Sequence, residues 1–105
     1  MPNGHDKNWV RFCAAVDGFK ARHGKWPVRV ALDQGYIDGF EMLFATDDLQ
    51  TIRSKVELTP RADAHMIAED DDGNEYNYAE EGFADVRHEA SAEVWFRVEP
   101  RHDHD

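Results

Sequence analysis

The chain has 105 residues, of which 41% are apolar and 32% charged, and its 12 Lys/Arg against 22 Asp/Glu leave a net charge of −10. That length supports a single hydrophobic core without disulfide or metal staples. No apolar run approaches the length needed to cross a bilayer, which excludes a helical membrane span.

The first seven residues carry charge with no apolar region behind it, which argues against a secretory signal. The lone Cys13 cannot form an internal disulfide and fits a reducing compartment, so a cytoplasmic location is expected. The charge is segregated along the chain. Residues 1–60 balance eight basic against eight acidic side chains, whereas residues 61–105 hold four Arg and fourteen Asp/Glu. Residues 1–30 carry a local +4. A surface of this kind repels nucleic acid and anionic lipid with its C-terminal part and favours basic partners.

In chain order, Asp6 is a candidate N-cap for an amphipathic helix whose Trp9, Phe12, Cys13, Val16 and Phe19 recur at helical spacing. Gly24 supplies a left-handed stop, and Pro27 restricts Trp26 to extended geometry. Gly18 inside this helix costs about 1 kcal/mol relative to Ala, which close packing would explain. His23 falls in the last turn, where capping of a free carbonyl is the expected role. Trp26 reads as the plug that seats the helix end on the core. Val28, Val30 and Leu32 alternate with Arg29 and Ala31, giving a short strand with one buried face. Asp33 caps a second helix, in which Tyr36, Ile37, Phe40, Leu43 and Phe44 recur. Thr46-Asp47-Asp48 opens a third helix with its carboxylates in the first turn. Leu49, Ile52 and Val56 form its inner face, it hands over to a strand near Lys55, and Pro60 ends that strand.

Residues 66–79 read as a β-hairpin turning at Asp72-Gly73, a type I′ pair. That turn sets Ile67 opposite Tyr78, Ala68 opposite Asn77, Glu69 opposite Tyr76 and Asp70 opposite Glu75. The last pair is like-charged, which calls for a register shift or a positive neighbour at the tip. Residues 83–89 show no sustained period. Within 91–98 a helical turn and a strand compete, and a turn packing Trp95 on the core is favoured. The fold class expected is α+β: an N-terminal amphipathic helix and two shorter helices on a small, mainly antiparallel sheet. One domain over residues 1–100 and a disordered acidic, histidine-bearing tail at 101–105 are expected.

The stretch from the Trp9-bearing helix through His23-Gly24 and Pro27-Val28 resembles the way the helicase-associated repeat ends its first helix. The acidic remainder and the hairpin depart from that all-helical repeat, so no family is assigned.

Motifs for chemistry are absent. With Gly73 at the invariant glycine position of an EF-hand loop, positions one and twelve become Ala68 and Ala79, neither a calcium ligand. His102 and His104 on a tail lack anything to fix ligand geometry, and Cys13 sits among apolar neighbours unsuited to a nucleophile. No phosphate loop, zinc spacing or nucleophile elbow occurs. No cofactor, metal or catalytic residue is therefore expected. The leading expectation is a non-enzymatic module that binds a basic surface on a partner protein. Its candidate residues are Glu69, Asp70, Asp71, Asp72, Glu75, Tyr76, Glu80, Glu81, Phe83 and Asp85, aromatics within a charged rim. Alternatives are a nucleic-acid-mimicking inhibitor and a small hydrolase or metal-dependent enzyme using His65, His88, Asp85 and Glu89. Nucleic-acid binding by the basic face of the first helix (Lys7, Arg11, Lys20, Arg22, Lys25, Arg29) is not expected, because the acidic half repels the same ligand.

Overall fold

The computed structural model describes residues 4–81 and 92–98. The first helix, α1 (Gly4–His23), carries its apolar stripe as the spacing requires: Trp9, Phe12, Cys13, Val16 and Phe19 are all buried. It begins at Gly4, so Asp6 lies inside its first turn instead of capping it. It ends where Gly24 takes φ +77° and donates its N–H to the Lys20 carbonyl at 2.9 Å.

Four strands form one sheet: β1 (Arg29–Leu32), β2 (Glu57–Pro60), β3 (Ile67–Glu69) and β4 (Glu75–Asn77), in the order β2-β1-β3-β4. β1 pairs parallel with β2 and antiparallel with β3, and β3 pairs antiparallel with β4. A parallel pair needs a crossover, and here α2 (Gln34–Leu43) and α3 (Thr46–Lys55) supply it. The Asp33 carboxylate caps α2 by accepting the Gly35 N–H at 3.2 Å. In α3 the cap position is Ala45, without a side-chain bond, while Asp47 and Asp48 occupy the first turn.

Because β1 is central, Val30, Ala31 and Leu32 are all fully buried, and Val28, expected inside, is 43% exposed. The expected single buried face is thus replaced by burial on both. Beyond the three longer helices come α4 (Tyr78–Glu81), which was not expected, and the short α5 (Ala92–Phe96). α5 is the helical turn favoured from sequence. Asp17 of α1 holds its start by accepting the Ala92 N–H at 2.7 Å.

The core is aromatic. Trp9 stacks on Phe12 at 5.5 Å and meets Phe44 edge-on at 4.7 Å, while Phe12 reaches Phe40 at 5.3 Å and Phe96 at 5.6 Å. Rings from α1, α2 and α5 are thereby locked together, each such pair adding about 0.5–1.5 kcal/mol beyond its buried area. Outside this cluster Trp26 and Trp95 stack face to face, 4.3 Å apart and 2° from parallel. Lys20 lies over Trp26 and Lys55 over Trp95, each 5.4 Å from the ring centroid. Trp26 therefore seats the end of α1 as expected, with Trp95 as its partner. The described helices include none long and apolar enough to cross a membrane.

Candidate functional site

The acidic hairpin pairs one residue out of the expected register. Ile67 faces Asn77, Ala68 faces Tyr76 and Glu69 faces Glu75. The connection is a five-residue loop, Asp70–Asn74, closed by the Asp70 N–H donating to the Asn74 carbonyl at 3.2 Å. The cause is the Asp70 carboxylate. It accepts the Asp72 N–H at 2.9 Å, the Asn74 N–H at 3.0 Å and the Asn74 side-chain amide at 2.9 Å, and it pairs with the Lys25 ammonium at 3.0 Å. These contacts, the Asn74 amide foremost, hold its pKa well below the usual carboxylate range against the opposing effect of burial. A two-residue turn leaves that carboxylate no such pocket.

The one-residue shift changes the role of Tyr76. It turns inward, is only 3% exposed and lies under the Arg22 guanidinium at 4.9 Å. Burial raises its phenol pKa, with the Glu81 charge adding to the effect. A Cβ at Gly18 would come within 2.7 Å of Tyr76 Cδ1 and closer still to the outer ring atoms, which explains the glycine inside α1. Tyr76 is thus core and not a contact for a partner.

The acidic residues meet the basic end of α1 and β1. Lys25 also pairs with Asp72 at 2.9 Å, which leads the causes raising its pKa. Arg29 pairs with Asp71 and lies 3.6 Å from Glu69, and Arg61 reaches Glu69 at 3.0 Å. Arg22 and Glu81 form a two-pronged pair that raises the arginine pKa and lowers that of the carboxyl. His23 does not cap its own helix; its Nε2 donates to the Glu75 carbonyl at 3.2 Å. Among the predicted partner-binding residues, Asp70 is buried, Glu69 half-buried, and Asp71, Asp72, Glu75, Glu80 and Glu81 exposed. Phe83 and Asp85 lie outside the described residues, as do His88, Glu89 and the tail at 101–105. The positive neighbours anticipated at the tip are Lys25 and Arg29. Their engagement there, with that of Arg22, breaks up the basic face of α1.

A second assembly has no counterpart in the sequence reading. A groove of about 270 Å³ is lined, among the described residues, by Arg11 of α1, Tyr36 of α2, His65 and Met66 of the segment before β3, and Tyr78 and Ala79 of α4. Tyr36 Oη lies 2.9 Å from His65 Nδ1. Asp63 and Met66, on either side of Ala64–His65, both take φ 65°, a left-handed conformation uncommon in residues other than glycine. Of these residues, sequence reasoning had named His65 as a hydrolase candidate and Arg11 as part of a basic face. Nothing local links them to the tyrosines. Among the described residues, no group of three or more His, Cys, Asp or Glu side chains is placed to hold a metal ion.

No family model matches the chain, and no curated protein or solved structure is significantly similar to it.

Proposed function

We propose that this chain is a non-enzymatic, cytoplasmic interaction module whose hairpin rim binds a basic surface on a partner protein. The observation that carries this reading is the contrast between Asp70 and its neighbours. The Asp70 side chain is 4% exposed and pins the loop, while those of Asp71 and Asp72 stand 73% exposed. A loop already fixed costs little ordering entropy on binding. The pairs that Asp71 and Asp72 make with Arg29 and Lys25 are exposed ones, and such pairs contribute only about 0–1 kcal/mol, so a partner's cations can share or replace them. Glu75 and Glu80 extend the rim on β4 and α4. From sequence, Phe83 and Asp85 belong to the same surface.

Mimicry of nucleic acid is less well supported, because Lys25, Arg29 and Arg22 interrupt the one-signed array that imitation of a phosphate backbone requires. For the hydrolase alternative, His65 is the one member of the proposed set among the described residues, and its Nδ1 is engaged with Tyr36 Oη.

The test is affinity capture from an extract of the native cells at about 0.15 M salt, comparing the wild type with an Asp71→Asn/Asp72→Asn/Glu75→Gln variant. A partner retained by the wild type should be lost with the variant, and purified, it should bind the wild type directly with the same preference. Equal retention by both proteins refutes the reading. A steep fall of the measured affinity with salt, for a partner that itself binds DNA or RNA, would favour mimicry instead.

A further inference from the structure

The groove between α1, α2 and α4 differs in chemistry from the rest of this acidic molecule. We propose that it binds a small organic carboxylate with an apolar body, independently of the hairpin rim.

Its volume, about 270 Å³, lies just below the usual range for ligand sites, about 300–1,000 Å³, and suits a small ligand. The lining mixes apolar surface with polar groups that can fix an orientation, as ligand sites do. Met66, 2% exposed, and Ala79 form the apolar part. Arg11, His65 and the hydroxyl-bearing rings of Tyr36 and Tyr78 form the polar part. Among the described residues no carboxylate lines the groove, in a chain of net charge −10. A neighbouring hollow of about 230 Å³ shares Tyr36 and His65 but includes Asp33 and Asp63. The Tyr36–His65 pair thus belongs to both an acidic hollow and a cationic one, and an anion is directed to the Arg11 side.

The backbone supports the same conclusion. Asp63 and Met66 hold an unfavourable conformation that persists only where the surroundings enforce it, and such positions gather at binding and catalytic sites. Here the enforcement is visible. The Ala64 N–H donates to the Arg61 carbonyl at 3.1 Å, and the Ala64 carbonyl accepts the Asp33 N–H at 3.1 Å. The Met66 carbonyl accepts the Tyr78 N–H at 3.2 Å. Ala64 and Met66 are buried, and His65 between them is left exposed at the groove wall.

The donors suit a carboxylate. When the Tyr36 hydroxyl donates to His65 Nδ1, the neutral imidazole carries its proton on Nε2, where it is a donor. Arg11 uses Nη1 to hold Asn8 Oδ1 at 3.0 Å, and its planar fork retains further N–H groups for a carboxylate. One guanidinium beside the apolar surface of Met66 and Ala79 matches one negative charge on an apolar body better than it matches inorganic phosphate.

The experiment is a ¹H–¹⁵N NMR titration of the full chain with benzoate, with hexanoate and inorganic phosphate as further arms. Saturable shifts are expected at Arg11, His65, Met66 and Tyr78, with phosphate binding at least tenfold more weakly than benzoate. Arg11→Gln should weaken benzoate binding at least tenfold and Arg11→Lys by less, while Arg53→Gln, on the outer side of α3, should leave it unchanged. Arg11 is exposed, and an unchanged spectrum away from the groove establishes that each variant is folded. The proposal is overturned if benzoate and hexanoate produce no saturable shifts at these residues. It is equally overturned if Arg11→Gln binds benzoate as the wild type does, or if phosphate binds as tightly as benzoate.

Discussion

Replacing Gly18 by alanine tests the packing of the whole C-terminal half on α1. In an exposed helix interior this change stabilises by about 1 kcal/mol. Here the new Cβ would meet the Tyr76 ring, 2.7 Å from Cδ1 and nearer to Cε1 and Cζ. The ring has no free direction of retreat. It is 3% exposed, the Arg22 guanidinium lies over it at 4.9 Å, and its strand is held in register opposite Ala68. Overpacking of this kind costs about 1–3 kcal/mol. Set against the propensity gain, the net expectation is a loss of up to about 2 kcal/mol, or up to roughly 15 °C in Tm for a domain of this size. Urea unfolding followed by tryptophan fluorescence gives the number. The decisive comparison is a double-mutant cycle with Tyr76→Leu: once the ring is gone, Gly18→Ala should stabilise, so the two changes couple by more than about 1 kcal/mol. If Gly18→Ala raises stability equally in both backgrounds, Tyr76 does not cover Gly18, and the register of β3 on β4 falls with it.

Asp70 has a lower pKa folded than unfolded, where a value near 3.9 is ordinary. Its contribution to stability is therefore complete at neutral pH and is lost as pH falls below the unfolded-state value. Between about pH 7 and pH 3 the wild type should lose more of its urea midpoint than Asp70→Asn does; equal losses would refute the coupling. Asp70→Ala removes the acceptor for the Asp72 and Asn74 N–H groups, so amide exchange should accelerate at those two residues and stay slow at Phe12 and Val16 in the core of α1. The Trp26–Trp95 stack places two indoles 4.3 Å apart in fixed orientation, close enough for their transitions to couple. A paired positive and negative band in the far-ultraviolet circular dichroism is expected, abolished equally by Trp26→Phe and Trp95→Phe. Its survival in either variant would show that the stack is not its source.

The elements legible in the sequence are those whose signals are local. Gly24 stops α1 and Asp33 caps α2 as their chemistry dictates, and α3 hands over to β2 at Lys55. The hairpin was legible as a hairpin but not in register, because two turn chemistries compete there. Asp72-Gly73 favours a two-residue connection. The Asp70 carboxylate favours a five-residue one, and it prevails with help from Lys25, 45 residues earlier in the chain. Since side chains alternate with period two, that single step moves Tyr76 from the face of Ile67 and Glu69 to the buried face of Ala68. Burial of Ala31 was equally hidden, since it depends on β1 lying between β2 and β3. The groove left no trace in the sequence, for Arg11, Tyr36, His65 and Tyr78 come from separate elements. Nothing in the composition of Asp63 or Met66 announces a left-handed backbone.

The segregation of charge along the chain acquires a different meaning in the folded molecule. The excess of basic residues in the first thirty positions lies against the acidic hairpin: Arg22 on Glu81, Lys25 on Asp70 and Asp72, Arg29 on Asp71. Taken singly, exposed pairs of this kind add little stability. Their effect is on specificity. β3 and β4 are three residues each, too short to fix their own pairing. Yet β3 pairs with β1, and Arg29 at the start of β1 lies opposite Glu69 in the ladder. Backbone pairing and charge therefore select the same alignment. A slip by one residue would withdraw Asp70 from Lys25 and turn Tyr76 away from Gly18 toward solvent, so two further costs oppose it. The same arrangement limits what a partner encounters at the hairpin. A partner of the kind proposed would find, among the described residues, only the outward carboxylates left to read, a smaller and more selective surface than the net charge of −10 suggests.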